Sequence, residues 1–325
     1  MISVIIANYN RKDLLKKCLD SVMGQGFKDI EIIVIDNAST DDSVEMTATY
    51  YPEARLIRNT KNLLFCKAYN QGIEASRGNF VLCLNNDVVL DKDYLKEALF
   101  TIGLDNKIGM VSGKILRMAR LRSSTCNSWY ELRRAHQAKL CTISAQQSLM
   151  DKKTIDSTGL FLGRNRKPVE RGYGKKDAGQ YDEPGHVFGV GGACAFFRKS
   201  MLNELKDEHG YFDERFGMYY EDLDLCWRAQ KKAWKAYYNP KAIAYHVRGG
   251  TTVDKKCRPG LNLVYISWDL KKRYIRNRYR CMKKNDTLRG ALVNLPFILF
   301  YELKLWSYIV FKTVFKIFLD RHCKI

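Results

Sequence analysis

Residues 80–88 restrict the fold of this sequence more than any other stretch. They read Phe-Val-Leu-Cys-Leu-Asn-Asn-Asp-Val, so a short apolar run ends abruptly in two amides and a carboxylate. A short apolar run after a glycine is typical of a buried parallel strand, and open α/β sheets bind ligands where such strands end. Asp87 is therefore predicted to lie in a crevice, where a carboxylate can hold Mg²⁺ or Mn²⁺ against a diphosphate. The alternative is an ordinary polar turn, because Asn and Asp are common turn residues.

Strand-like and helix-like segments alternate on both sides of this stretch. Apolar strand patterns occupy 2–7, 30–35, 54–57 and 108–113, and helical periodicity occupies 13–25, 42–50, 65–76 and 92–104. Periodicity fades over 116–181, where we expect loops and short strands over the ligand edge; strands return at 187–198 and 236–246, with a helix at 221–233 between them. This order predicts an α/β fold with a mostly parallel sheet flanked by helices on both faces.

Charge and cysteine usage narrow the class of protein. The chain has 55 Lys and Arg against 35 Asp and Glu, a formal charge of +20 that favours nucleic acid, anionic lipid or phosphorylated substrates as partners. Its ten cysteines lack the close spacing of metal sites and mostly sit in apolar runs. That pattern indicates buried, reduced thiols in a cytosolic protein. The first residues already form a strand, so no signal peptide is expected.

Polar residues also end the first two predicted strands. Asn8 and Asn10 follow the first, and Asp36 ends the second, so all three are expected at the ligand edge of the sheet. A carboxylate at Asp36 can accept from a base imide or a ribose hydroxyl, although capping of the next helix with Ser39 and Asp41 is the favoured explanation when Asp36 is taken alone. No Gly-x-Gly-x-x-Gly or Walker loop follows the first strand, so a nucleotide would be held by other means.

A second acidic cluster stands at the start of a predicted helix. Residues 219–224 read Tyr-Tyr-Glu-Asp-Leu-Asp. Acids at a helix N-terminus are favoured by the helix dipole, which is the structural explanation for them.

His246 follows the last predicted strand and is itself followed by a Gly-rich segment at 247–252. It is a candidate metal ligand, although a single His is more often a satisfied buried side chain.

Taken in order along the chain, these motifs resemble a family 2 glycosyltransferase with the GT-A fold, and within it the bacterial rhamnosyltransferase-like members. The matching segments are 3–10, 34–41, 62–72, 84–87, 191–194, 212–214, 220–228 and 245–251. Together they cover about residues 1–255. Two departures are visible: Asn85 stands where many relatives have Asp, and Leu64 stands where relatives usually have Gly before Phe65.

The resemblance implies a metal-dependent, inverting hexosyltransferase. It would move a sugar, with rhamnose as one candidate, from a UDP or dTDP donor to a saccharide or lipid-linked saccharide acceptor in cell-surface polysaccharide synthesis, with Mn²⁺ or Mg²⁺ as cofactor. The resemblance assigns the general base to Asp222, the metal to Asp87 and His246, the nucleotide sugar to Ala7, Asn8, Asn10, Asp36, Asn70, Asn85 and Asn86, and the acceptor site to Gly192, Glu221 and Asp224.

The last part of the chain has a different character. We expect a GT-A catalytic domain at 1–260 and a basic, amphipathic helical tail at 261–325. Residues 271–284 carry eight basic residues and no acidic one, and 290–319 are strongly apolar. Charges interrupt the apolar part before it reaches the roughly 18 residues of a spanning helix. Two helices that lie on the membrane and break near Pro296 are therefore predicted, which places the protein in the cytoplasm, peripheral at the inner face of the plasma membrane.

Two other functions compete with sugar transfer. One is a non-catalytic protein that binds nucleotide sugars, and the joint presence of Asp87, Asp222 and His246 argues against it. The other is a basic nucleic-acid-binding protein, suggested by the charge and by the Arg and Tyr alternation at 274–280. The basic run adjoins an apolar tail and is expected outside the folded core, which favours contact with anionic lipid and no nucleic acid.

Overall fold

A ten-stranded sheet organises this protein, whose computed structural model describes residues 1–118, 154–247 and 267–322, with side chains of the last helix described up to residue 310. The strands are β1 (Ile2–Asn8), β2 (Ile30–Asp36), β3 (Arg55–Arg58), β4 (Phe80–Asn85), β5 (Val88–Leu90), β6 (Ile108–Arg117), β7 (Ile155–Ser157), β8 (Leu160–Leu162), β9 (Pro168–Glu170), β10 (Gly185–Val187), β11 (Cys194–Arg198) and β12 (Lys235–His246). Strands β8 and β9 form a separate two-stranded sheet.

Helices cover both faces of the large sheet. They are α1 (Lys12–Met23), α2 (Ser43–Tyr50), α3 (Leu64–Ala75), α4 (Tyr94–Gly103), α5 (Lys199–Leu205), α6 (Glu221–Lys231), α7 (Trp268–Asn285) and α8 (Leu288–His322). One apolar core gathers side chains of α1, α2 and α4, and a second gathers those of α3, α5, α6 and α7. The predicted α/β architecture with helical flanks is confirmed. The predicted loops at 119–153 and the Gly-rich segment at 248–252 lie outside the described residues.

The sheet is parallel in its first half and mixed in its second. Strands β3, β2, β1 and β4 are parallel neighbours, whereas β11 runs antiparallel between β4 and β6. Cys194 pairs with Leu84 and Arg198 with Phe80, so β11 begins at the carboxyl edge of β4. The segment before β11 brings the chain to that carboxyl edge, so β11 runs back through the sheet in the direction opposite to β4.

The apolar run at 80–88 divides into two strands at the polar residues. β4 ends at Asn85, and β5 pairs antiparallel with the end of β12, with Val88 opposite His246. Asn86 and Asp87 form the turn between them. The predicted position of Asp87 at the carboxyl edge is therefore confirmed, and β12 brings His246 to the same place.

Helix α7 is packed into the protein, which corrects the expectation that the basic run lies outside the folded core. Its buried side chains are Tyr274, Asn277, Arg278, Cys281 and Asn285. Arg278 is fully buried, its Nε lies 2.7 Å from Glu302 of α8, and its Nη2 donates to the backbone oxygen of Asn165 at 2.7 Å. Part of the basic run therefore serves the fold itself.

Helix α8 runs through Pro296 without interruption, so the predicted break into two helices is wrong. A proline removes one helical hydrogen bond and leaves the carbonyl of residue i−4 without its donor. Here that carbonyl belongs to Leu292, and both Leu292 and Pro296 are exposed, so water can satisfy it. Among the helices in the described part of the chain, none combines the length and apolar character needed to cross a bilayer.

Candidate active site

Asn8 joins three polar segments at the carboxyl edge of the sheet. It ends β1 opposite Asp36 of β2, and both side chains are nearly fully buried. Its Nδ2 donates to Ser39 Oγ at 3.1 Å, and its Oδ1 accepts from Asn86 Nδ2 at 2.6 Å. Ala7, half-buried, stands opposite Asn85 in the neighbouring strand. The residues predicted for the nucleotide sugar thus come together, apart from Asn70.

Asp36 and Asn10 shape the loop after β2. Asp36 Oδ2 accepts from the backbone N–H of Ser39 at 3.0 Å. This contact lies within the loop and does not cap the next helix, since α2 begins at Ser43 with Asp42 before it. Asn10 has a φ of 51° and accepts from the backbone N–H of Thr40 at 2.6 Å. Asn is one of the few residues that adopts the left-handed conformation readily. Together they fix the conformation of a polar loop at the sheet edge; contact of Asp36 with a base stays a prediction.

Asp87 and His246 meet at the far side of the same edge. His246 Nε2 lies 3.2 Å from Asp87 Oδ1, and the backbone N–H of Val247 donates to the backbone oxygen of Asp87 at 2.9 Å. Asp87 Oδ1 is buried, and the His246 ring is the polar group that lies beside it. A carboxylate oxygen and an imidazole nitrogen that face each other in this way suit a divalent cation. The residues present therefore fit the metal that the resemblance implies.

His246 is held from behind by Asp156, a residue that the sequence reasoning missed. Asp156, in β7, is 1% exposed, and its Oδ2 lies 2.8 Å from His246 Nδ1. Its other carboxylate oxygen lies 3.5 Å from Arg117 Nε. A carboxylate on Nδ1 fixes the tautomer and ring orientation that present Nε2 to a metal. The signal in the sequence was weak, because Asp156 follows a single apolar residue, Ile155, in a three-residue strand.

The surroundings of His246 favour positive charge beside it. Burial lowers the pKa of the imidazole, but the hydrogen bonds to Asp156 and Asp87 outweigh burial and raise the pKa to about 9. Two carboxylates on either side of one ring thus attract a cation, whether a proton or a metal ion. In the described residues no group of three or more His, Cys, Asp or Glu side chains is placed to hold a metal, so Asp87 and His246 supply only part of a coordination sphere.

Asp222 stands at the start of α6, facing the glycine pair before β11. Its Oδ2 accepts from the backbone N–H of Gly192 at 3.1 Å, and its Oδ1 accepts from the backbone N–H of Leu223 at 2.7 Å. A β-carbon at Gly192 would lie 3.2 Å from Phe65 Cζ and 3.7 Å from Asp222 Cβ. The predicted pair of Asp222 and Gly192 is therefore in contact, and the approach leaves little room for a side chain at residue 192.

The neighbouring Glu221 is almost fully buried. Its Oε2 has no hydrogen-bond partner in the described structure. Burial, together with the nearby charge of Asp222, raises the pKa of the Glu221 carboxyl well above its ordinary value. Glu221 therefore lies beside Asp222 at the start of α6, and its contact with an acceptor stays a prediction.

Asp224 does not belong to the acceptor site, which corrects its predicted role. Its side chain is fully buried and faces α7 instead of the sheet edge. The carboxylate lies 2.9 Å from Arg228 Nε and 3.3 Å from Lys284 Nζ, and it accepts from Asn285 Nδ2 at 2.7 Å. These partners join α6 to α7 and leave no accessible surface on Asp224 for a saccharide.

Asn70 is also structural, and its predicted contact with the nucleotide sugar is a second correction. Its Nδ2 donates to the backbone oxygen of Phe212 at 2.8 Å, and its Oδ1 accepts from the backbone N–H of Phe212 at 2.9 Å. Both ends of the amide are thus used to attach the segment before α6 to α3.

The two departures from the family pattern are also placed by the structure. Asn85 is half-buried and accepts from the hydroxyl of Tyr69 at 3.2 Å. Leu64 has a φ of 64°, which is the conformation that a glycine at this position would adopt without strain.

Curated relatives of this chain are glycosyltransferases that it matches in part. It is 36% identical over 112 residues to the uncharacterized glycosyltransferase YibD of Escherichia coli (strain K12), covering 33% of this chain and 31% of the relative. It is 22% identical over 254 residues to the poly-beta-1,6-N-acetyl-D-glucosamine synthase of Staphylococcus aureus (strain MSSA476), covering 75% of this chain and 49% of that protein. The chain therefore spans half or less of the length of these relatives.

Solved structures share the fold at low sequence identity. A mannosyltransferase of Pyrobaculum calidifontis, solved with GDP-Man and Mn²⁺, matches with a TM-score of 0.55 and 16% identity over 91% of this chain and 68% of its own. GalNAc-T7, solved with UDP, GalNAc and Mn²⁺, matches with a TM-score of 0.59 and 13% identity over 87% of this chain and 48% of its own. At such identities the likeness concerns the fold alone.

Family models give the clearest assignment. The model described as glycosyl transferase family group 2 matches residues 174–319. The model described as glycosyl transferase family 2 matches residues 3–206, more than half of the chain, and includes the strands that end at Asn8 and Asp36 and the turn that contains Asp87. With the GT-A-like fold and the polar sheet edge already described, this match shows that the chain belongs to glycosyl transferase family 2.

Proposed function

We propose that this protein is a metal-dependent, inverting glycosyltransferase. It moves a sugar from a nucleoside-diphosphate donor to a saccharide or lipid-linked saccharide in cell-surface polysaccharide synthesis. The observation that carries the proposal is that two groups of residues lie at the carboxyl edge of β4: Asp87 with His246, and Asp222 on the backbone of Gly192. Family membership and relatives named as sugar polymer synthases support it.

In this proposal the segments around Asn8 bind the nucleotide-sugar donor. The loop after β2 and the turn after β4 offer amide and carboxylate groups to a nucleoside, with Asp36 the candidate for the base. Asp87 and His246 would hold Mn²⁺ or Mg²⁺, which when bound neutralises the charge of the departing diphosphate as a Lewis acid. We propose UDP or dTDP as the nucleotide and rhamnose as one candidate sugar.

In this proposal Asp222 acts on the acceptor. As general base it removes the proton of the acceptor hydroxyl while that oxygen attacks the anomeric carbon from the face opposite the leaving group. Hydrogen bonds from Gly192 and Leu223 fix the direction of the carboxylate. General-base assistance contributes about 10²–10⁴-fold in rate. A single base of this kind gives inversion, whereas retaining glycosidases need two carboxyl groups about 5 Å apart.

We also propose that helices α7 and α8 attach the protein to an anionic membrane surface at the inner face of the plasma membrane. One face of α8 exposes apolar side chains at helical spacing, namely Leu288, Leu292, Leu295, Leu299, Leu303, Trp306 and Val310. Lys272, Arg276 and Lys283 are exposed along α7 at the same spacing. Trp306 Nε1 donates to the hydroxyl of Tyr279 at 3.0 Å, so the apolar and cationic faces adjoin. Such a surface suits anionic lipid better than nucleic acid.

A binding screen tests the central proposal. Nucleotide sugars with UDP, dTDP and GDP are added to the full chain with and without Mn²⁺ or Mg²⁺, and the melting temperature is measured. A donor at about 100 times its dissociation constant stabilises the protein by about 2.7 kcal/mol. We expect stabilisation that requires the divalent ion and, on incubation, release of nucleoside diphosphate as the sugar passes to water in place of the acceptor. Stabilisation by a nucleotide sugar without any release would favour the non-catalytic binding protein.

A further inference from the structure

The turn directly before α6 has an unusual backbone. Tyr219 and Tyr220 have φ angles of 70° and 72°, so two consecutive residues with side chains adopt the left-handed conformation. The β-carbon of such residues crowds the following carbonyl, and the conformation persists only where surrounding contacts impose it. Glu221 begins α6 immediately afterwards. The conformation of this turn therefore sets the direction in which Asp222 enters the site.

Asn277 of α7 supplies the contacts that this turn requires. Its side chain is fully buried, and its Nδ2 lies 2.8 Å from the backbone oxygen of Phe216 and 2.9 Å from those of Met218 and Tyr219. One amide group thus satisfies several carbonyls of the turn. Buried carbonyls without a donor are costly, so removal of Asn277 favours any other conformation that exposes them to water.

Other residues of α7 hold the parts of the turn and helix on either side. The ring of Tyr274 lies 5.0 Å from that of Tyr220, and their hydroxyls are 3.3 Å apart. Asn285 donates to Asp224 at 2.7 Å, two residues beyond Asp222. Helix α7 therefore contacts Tyr220 before Asp222 and Asp224 after it. The backbone of Gly192, next to the sheet, contacts the Asp222 carboxylate.

We propose that Asn277 is a positioning residue for glycosyl transfer. It holds the left-handed turn at Tyr219 and Tyr220 and thereby directs the Asp222 carboxylate toward the acceptor hydroxyl. The inference rests on the proposed function only in the role of general base that it gives Asp222. It makes α7, a helix from the basic C-terminal segment, part of the reaction machinery as well as part of the fold.

The test compares Asn277→Ala with the full wild-type chain. The rate is the release of nucleoside diphosphate, in Mn²⁺, from the nucleotide sugar that stabilises the protein most, with water in place of the acceptor hydroxyl as the group that receives the sugar. Binding of UDP with Mn²⁺ is followed by the shift in melting temperature. Because small misplacements of catalytic groups cost up to about 100-fold, we expect kcat to fall about 10- to 100-fold while the UDP-dependent shift stays within error. Asn294→Ala, which removes a half-buried amide from α8, is the matched control and should leave kcat within about twofold.

A second substitution separates positioning from general loss of structure. Glycine adopts the left-handed conformation without strain, so Tyr219→Gly in the Asn277→Ala chain should restore kcat several-fold. If Asn277→Ala does not fold, Asn277→Ser, which keeps one donor, takes its place and the same recovery is required. A kcat within twofold of wild type, a parallel fall in kcat and UDP binding, or no recovery by Tyr219→Gly would each overturn the proposal.

The role of Asp222 is tested separately by Asp222→Asn. If this variant keeps the wild-type rate, the proposed function fails in its choice of base, whatever Asn277 does. If Asp222→Asn is inactive and Asn277→Ala is unaffected, only the positioning role fails.

Discussion

The carboxylate of Asp156 lies 2.8 Å from His246 Nδ1, on the side of the ring opposite Asp87. Asp156 and His246 are 90 positions apart in sequence, and strand pairing of β6 with β7 and β12 brings them together. A carboxylate in this position presents Nε2 to a metal and raises its basicity. The arrangement gives the proposed metal site a rigid support that lies outside the motifs of the family resemblance.

Asp156→Ala is expected to weaken metal binding more than it weakens the fold. Loss of such a supporting carboxylate typically costs about 10- to 100-fold in metal affinity. Titration of Mn²⁺ in the presence of UDP, followed by electron paramagnetic resonance of free Mn²⁺, measures the affinity directly. Asp105→Asn is the control, because Asp105 pairs with Lys235 at the opposite edge of the sheet. Equal Mn²⁺ affinities for Asp156→Ala and the control would contradict the supporting role.

Asp87→Asn is expected to abolish both divalent-dependent stabilisation by nucleotide sugars and release of nucleoside diphosphate. The amide keeps the shape of the carboxylate and loses the charge that a hard cation requires. Asp87 lies in a turn, and within the described parts of the chain its carboxylate pairs with His246 at 3.2 Å, so the melting temperature without ligands should change little. A variant that keeps wild-type rates at saturating Mn²⁺ would remove Asp87 from the metal site.

The sequence predicted well whatever depends on local pattern. Strand β1 was expected at 2–7 and occupies Ile2–Asn8, and the polar strand ends at Asn8, Asp36 and Asp87 lie at one edge as expected. Asp156 and Asn277 could not be found in this way, because their roles arise only from contacts with segments 90 and about 60 residues away.

Two polar residues within the matched motifs were assigned to ligands although they hold the protein together. Asn70 bonds both ends of its amide to Phe212, and Asp224 pairs with Arg228 and Lys284. A motif fixes the residue type but not the direction of the side chain. Helical position would have separated Asp222 from Asp224, because residues two apart on a helix point to different sides.

Asp222→Asn and Asp224→Asn are expected to fail in different ways. Asp222→Asn should lower kcat by about 10²–10⁴-fold, the usual contribution of a general base, with little change in UDP binding. Asp224→Asn should instead lower stability, because it weakens buried ion pairs with Arg228 and Lys284. Steady-state rates and urea unfolding of both variants distinguish the roles. A catalytic loss confined to Asp224→Asn, with Asp222→Asn mild, would reverse the assignment.

Asp213 is expected to make stability depend on pH. Burial raises the pKa of its carboxyl, but hydrogen bonds from Arg215 and Lys284 outweigh burial and hold the pKa well below its ordinary value. A depressed folded-state pKa stabilises the protein above the unfolded-state pKa of about 4, and this stability is lost as the pH falls toward the folded-state value. Asp213→Asn should therefore cost about 3 kcal/mol at pH 7, and this cost should begin to shrink as the pH falls below about 4. Urea unfolding of both chains at a series of pH values from 7 down to 3 measures this, and a cost that grows as the pH falls would contradict it.

Membrane attachment through α8 predicts that its exposed apolar face, and not its buried face, controls binding to lipid. Because α7 packs against α6, a truncation before α7 would expose the core, so point substitutions are the better test. Leu299→Ser with Leu303→Ser removes two exposed side chains and should leave the melting temperature unchanged while weakening sedimentation with anionic vesicles. Lys272→Glu with Lys283→Glu should weaken sedimentation with anionic vesicles further at low salt, since each basic residue near such a surface contributes about 1 kcal/mol.

Zwitterionic vesicles are the lipid control, and high salt should release the wild type only in part because the apolar contribution remains. Full-length protein that stays in the supernatant with anionic vesicles at low salt would contradict attachment, and a dimer broken by the leucine substitutions would assign the face to a second copy.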